Sequence, residues 1–101
     1  MTIHRRPHHT LMLLTQIKTA KNLPSWYALA KHLGLDERRL SEYRQGKRMP
    51  PAYTCALIAD ALGMRLGDVI AQVHADLDPD PTRRKAWMKR AASAPAQRRR
   101  R

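Results

Sequence analysis

The residues best suited to chemistry in this chain are cations. Arg38, Arg39, Arg44, Lys47 and Arg48 crowd one short stretch, and Arg83, Arg84, Lys85, Lys89, Arg90 and Arg98 to Arg101 occupy another that holds no acid. Such clusters fit a polyanion, nucleic acid being the commonest, although charge runs also occur as plain solvated faces. Other chemistries find less support. His4, His8 and His9 lack a carboxylate or thiolate partner at helical spacing, so no metal site is expected. Asp76, Asp78 and Asp80 lack the downstream Glu and central Gly of a calcium loop. Cys55 falls on the inward face of a helical pattern and reads as a small hydrophobe. No Ser/His/Asp set, paired carboxylates or Gly-rich phosphate loop is present, so neither an enzyme nor a bound cofactor is expected.

The chain has 101 residues, 20 Lys plus Arg against 8 Asp plus Glu, and a formal net charge of +12. That length supports one small domain, and a hydrophobic content of 43% supplies its core. A single cysteine excludes a disulfide framework and favours a reducing, cytoplasmic home. The longest apolar run, Leu11 to Leu14, is far short of the roughly 18 residues of a membrane span, and the N-terminus shows no secretory h-region. Neither membrane insertion nor secretion is expected. The segment from Thr82 onward carries +9 of the charge, leaving the body mildly basic.

Positioning these cations falls to helices, because apolar periodicity is helical throughout and no stretch sustains a strand's alternation. Thr10 is expected to cap a first helix over about 11–21, where Leu14 and Ile17 fall three apart and Leu13, Ile17 and Lys21 four apart. Ser25 caps a second helix, 26–33, with Leu29, Ala30 and Leu33 inward and Gly34 as its stop. Asp36 caps a third, 37–45, with Leu40 and Tyr43 inward and Gly46 ending it. The fourth, 52–62, turns Cys55, Ile58, Ala59 and Leu62 to the core and stops at Gly63. The fifth, 66–77, is expected to use Leu66, Ile70, Val73 and Leu77, with Asp68 complementing the dipole. After an Asp/Pro hinge, a sixth basic helix from Thr82 to about Ala92 docks through Trp87. Residues 1–9 are expected to be flexible, 10–78 to form the domain, 79–93 to carry the basic helix, and 94–101 to be a disordered arginine tail. That tail is expected to add affinity for DNA of any sequence.

The second and third helices have the spacing of a helix-turn-helix, with small Ala30 at the crossing and Gly34 at the turn. The segment from Trp26 to Pro50, with Leu40-Ser41, the Gly46-Lys-Arg-x-Pro50 exit and the Ile58-Ala59/Leu62-Gly63 pattern, resembles the phage Cro and lambda-repressor-like family, also called the xenobiotic-response-element family. The resemblance covers about residues 11–77. The ending, an Asp/Pro break before a basic helix containing Trp87, is similar to a group of small phage-related proteins.

This resemblance implies an all-α, five-helix helix-turn-helix domain that lays its third helix in the major groove of double-stranded DNA, usually as a homodimer on a pseudo-palindromic operator. Carried over by position, the base-reading places fall on Glu37, Arg38, Ser41 and Glu42. Arg38 suits the O6/N7 pair of guanine, and Glu37 or Glu42 can accept from cytosine N4. Ser25, Gln45, Lys47 and Arg48 occupy the family's phosphate-contact region, and Arg39 is expected on phosphate beside them. Trp26 departs from the pattern, standing where a polar phosphate-contacting residue is common. The bland alternatives are that Glu37 complements the helix dipole and that Glu42 pairs with Arg38 or Arg39. The resulting expectation is a phage or prophage transcriptional repressor. Its rivals are an interaction module, an antitoxin or phage factor that captures a host or phage protein through the sixth helix, and a protein that coats DNA without specificity.

Overall fold

Among the described residues the chain forms six helices, and in most of them a local residue satisfies terminal backbone groups. The structure, a computed structural model, describes residues 9–92. Expectations for residues 1–8 and for the arginine tail lie outside the described residues. The helices are α1 (His9–Ala20), α2 (Trp26–Leu33), α3 (Glu37–Gln45), α4 (Ala52–Leu62), α5 (Leu66–Leu77) and α6 (Pro81–Ala92). Among the described residues there is no strand, and no helix is long and apolar enough to cross a membrane.

Ser25 Oγ accepts from the Ala28 N–H at 3.0 Å and Asp36 Oδ1 from the Arg38 N–H at 3.0 Å, so α2 and α3 both start on side-chain caps. Gly34 ends α2 at φ +70°, a left-handed conformation that only glycine adopts without penalty. That turn lets the Leu35 N–H close back on the Ala30 carbonyl at 2.8 Å, and α3 begins two residues later. At the end of α1 the left-handed residue is Asn22, φ 55°, and the Leu23 N–H returns to the Lys18 carbonyl.

Leu13, Leu14, Ile17, Leu29, Ala30, Leu33, Leu40, Tyr43, Cys55, Ile58, Ala59, Val69 and Val73 form one continuous core to which α1 through α5 all contribute. Fully burying a Leu or Ile stabilises the fold by roughly 1.5–3 kcal/mol, so this cluster is what holds the short helices in place. Burial raises the Cys55 thiol pKa, and its Sγ lies 3.6 Å from the Pro50 carbonyl.

Three expectations need correction. Thr10 does not precede α1 as its cap. It lies inside the helix, buried, and α1 begins at His9 within the segment expected to be flexible. The cap comes from Asp76 instead, as described below. In α5 the core-facing pair is Val69 and Val73, while Leu66 is 41% exposed and Ile70 and Leu77 are half-buried. The reason is that α5 is covered on two sides. Ala71 and Ala75, buried but outside the central cluster, form a small-residue stripe, and α6 packs on this helix.

The Asp/Pro stretch, expected as a hinge, is a bonded corner. Asp78 grips Arg83 through three hydrogen bonds of 2.9–3.2 Å and accepts from Trp87 Nε1 at 3.3 Å. Asp80 caps α6 by accepting from the Thr82 N–H at 2.9 Å, and Arg84 Nη1 donates to the Asp78 and Pro79 carbonyls. Trp87 rests on His74 of α5 with ring centroids 5.1 Å apart. The sixth helix is thus anchored by Trp87, as its sequence predicted, and by a carboxylate that periodicity did not reveal.

Candidate nucleic-acid interface

The pattern of α3 is apolar at two places only. Leu40 and Tyr43 are 1% and 2% exposed and tie the helix to the core, which leaves the remaining positions to project outward. Glu37, Arg38, Arg39 and Gln45 are exposed, and Ser41, Glu42 and Arg44 half-buried. Arg38, Ser41, Glu42 and Gln45 recur at three- and four-residue steps and therefore share one face. Lys47 and Arg48 follow in the exposed loop, and Ser25 marks the start of α2. All nine expected site residues thus belong to α2, α3 and their flanks. Eight of them lie on α3 or in the loop that follows it, and Ser25 stands at the start of α2.

Their side chains are not equally available. Glu42 Oε1 accepts from Arg48 Nε at 2.9 Å and lies 3.2 Å from Arg39 Nε, so one carboxylate holds two guanidinium groups. The pairing with Arg39 was legible from i, i+3 spacing, whereas that with Arg48 spans the Gly46 turn. Gln45 Nε2 donates to Ser41 Oγ at 2.9 Å, which ties the two side chains to each other. Arg38 and Glu37 form no ion pair among the described residues, and Lys47 is exposed. Arg38 is the cation on the shared face that remains unengaged.

Sequence reasoning missed a cluster beside the start of α2. Trp26 is half-buried against the core, with Arg44 Cζ 4.6 Å and Lys18 Nζ 5.4 Å from its ring centroid. Arg44 Nε is shielded from solvent and has no hydrogen-bond partner, so the ring face is what stabilises that guanidinium. Trp26 therefore brings together one cation from α1 and one from α3. At a position where a polar side chain was the expectation, the indole supplies a platform for two cations. The only cue in the sequence was the aromatic residue itself, since Lys18 and Arg44 are distant from it along the chain.

Over residues 37–48 five cations face two carboxylates, one of them already shared. Chemically, the surface can attract a polyanion and offer one guanidinium for bidentate hydrogen bonding. Among the described residues no three His, Cys, Asp or Glu side chains converge as a metal site would require. No family model matches the chain, and neither a curated protein nor a solved structure does.

Proposed function

We propose that the protein is a sequence-specific binder of double-stranded DNA, a phage or prophage repressor that inserts α3 into the major groove as a homodimer. The observation that supports this best is the division of α3 between two buried anchors and a protruding, cation-bearing face, joined to α2 by the left-handed Gly34. On this reading Arg38 reads a guanine, with Glu37 beside it. Ser41 and Glu42 line the same face. Arg39, Lys47, Arg48, Gln45 and the capped start of α2 at Ser25 meet phosphates. Such a protein acts by occupying a promoter in the bacterial cytoplasm.

The test is selection from a randomised duplex library by the purified full chain at stated salt, followed by footprinting. A discrete, two-fold repeated site with half-sites about 10–10.5 base pairs apart, or a multiple, supports the proposal. A continuous footprint with no enriched sequence replaces it with a non-specific coating protein. If the α3 arginines prove dispensable in cells while Trp87 and Lys89 are required, the protein is an interaction module acting through α6.

A further inference from the structure

We propose that a groove on α6, walled by Arg83, Ala86, Trp87 and Arg90, is a stacking site for an unpaired base of single-stranded nucleic acid. It is a second site, separate from the α3 surface and independent of what α3 binds. α6 packs on α5, whereas α3 packs on α1 and α2, so different elements carry the two basic surfaces.

The groove holds about 240 Å³, and its walls among the described residues all belong to α6. Trp87 is held at a fixed tilt. Its Nε1–H is bonded to Asp78, and His74 covers one side with the ring planes 38° apart. His74 does not line the groove, which therefore opens on a different part of the indole. Arg83 and Arg90 stand at the two ends, two helical turns and about 10 Å apart along the axis. Arg83 shares its charge with Asp78, and Arg83, Lys89 and Arg90 are all exposed to solvent. The whole helix carries five cations and no acid.

A fixed aromatic face between cations is the arrangement by which single strands are bound without sequence preference, bases stacking while the basic groups follow the backbone. An acidic peptide satisfies the cations but brings no flat ring to the indole. A duplex brings phosphates but keeps its bases stacked on one another. A single strand supplies both.

The experiment titrates the full chain with a short oligothymidylate, a blunt duplex of equal length and polyglutamate, reading tryptophan emission and fluorescence anisotropy. Oligothymidylate is expected to quench a component that is missing in Trp87→Phe, which leaves Trp26 as the remaining emitter. Trp87→Leu should weaken strand binding at least about fivefold. Arg90→Glu, an exposed change that leaves the Asp78 contacts intact, should weaken it as well, while Arg38→Ala should not. Anisotropy alone does not decide, because the arginine tail attracts any polyanion. The Trp87 signal does. No Trp87 quenching by oligothymidylate overturns the proposal. Equal quenching by the blunt duplex reduces the site to a backbone contact, and equal quenching by polyglutamate makes it a surface for acidic protein segments; either result also overturns it.

Discussion

Asp76 in the last turn of α5 caps Thr10 in the first turn of α1, 66 positions away. One carboxylate oxygen accepts from both the Thr10 N–H at 2.7 Å and its hydroxyl at 2.8 Å. The other accepts from the His9 N–H at 2.8 Å and lies 2.8 Å from His9 Nδ1. A helix start needs acceptors for its first amides and favours a negative charge, and here both come from another helix. This bond network fixes α1 across α5. Since α1 also packs on α3, it helps hold the protruding helix in place.

Asp76→Ala should therefore cost about 2–3 kcal/mol of stability, combining a lost cap with buried donors left unpaired. Denaturant unfolding of the variant checks this. Thr10→Val combined with Asp76→Ala should cost clearly less than the two single changes added, since they remove the same bonds. A loss under about 0.5 kcal/mol for Asp76→Ala would show that water replaces the carboxylate without penalty.

That cap also shows where sequence reading runs out. The bounds of α2, α3 and α4 were legible because their signals are local: Ser25 and Asp36 at starts, Gly34, Gly46 and Gly63 at stops. Thr10 had the right residue type for the same role, but a nearer acceptor was supplied by the fold. The face of α5 was misread for a related reason. Helical periodicity finds one apolar stripe, whereas α5 is buried on two sides, and the small Ala71 and Ala75 carry little hydrophobic signal. At the candidate interface, residue positions were legible and their engagement was not. The contacts from Glu42 to Arg48 and from Trp26 to Lys18 and Arg44 depend on how turns and helices come together.

Acid should release α6 from α5. The Arg83 guanidinium, followed by the Asp80 N–H, holds the Asp78 carboxyl at about 2, below its ordinary 3.8. A carboxyl depressed on folding contributes stability that is fully present above its unfolded pKa and fades as pH falls through the folded value. The docking of α6 should therefore be complete above about pH 4 and weaken progressively toward pH 2. Trp87 emission followed down that range, with Asp78→Asn as the control that has lost the dependence, measures it. A profile unchanged by Asp78→Asn would assign the transition to other carboxylates.

Trp26→Leu should loosen both cations that rest on the ring. Each cation–π contact contributes about 0.5–2 kcal/mol, the larger figure applying to the more shielded Arg44. The variant should lose stability by roughly 1–3 kcal/mol, including the indole's packing. Trp26→Phe, which keeps a smaller ring face, should recover part of this loss. If Leu and Phe variants unfold at the same denaturant concentration, the ring acts only as apolar filler and Arg44 finds another resting place.

Two α3-region cations should behave differently on DNA. Arg38→Ala should relax preference at one guanine by about 1–3 kcal/mol, because a bidentate base contact carries that much discrimination. Lys47→Ala, on an exposed loop, should weaken binding about equally on every sequence and flatten the salt slope by about one unit. Binding to selected and singly substituted duplexes at several salt concentrations distinguishes them. A uniform loss for Arg38→Ala would place that side chain on phosphate.

Glu42 separates two views of the same surface. As a base reader it accepts a hydrogen bond from cytosine and its removal costs preference at one position. Yet its Oε1 already holds Arg48 at 2.9 Å and lies 3.2 Å from Arg39. To reach a base while both guanidinium groups stay bound, the carboxylate has to use its other oxygen, Oε2. Glu42→Gln keeps the shape and removes the charge that tethers them. If the tether is the residue's main role, the variant binds all duplexes more tightly, and the plot of log affinity against log salt steepens by about 0.9 for each arginine that gains a phosphate. Exposed ion pairs stabilise by only about 0–1 kcal/mol, so the fold should tolerate the change. We expect this outcome, with base preferences and the affinity ratio over random DNA kept. Loss of preference at a single base pair, with the salt slope unchanged, would instead return Glu42 to the set of base readers.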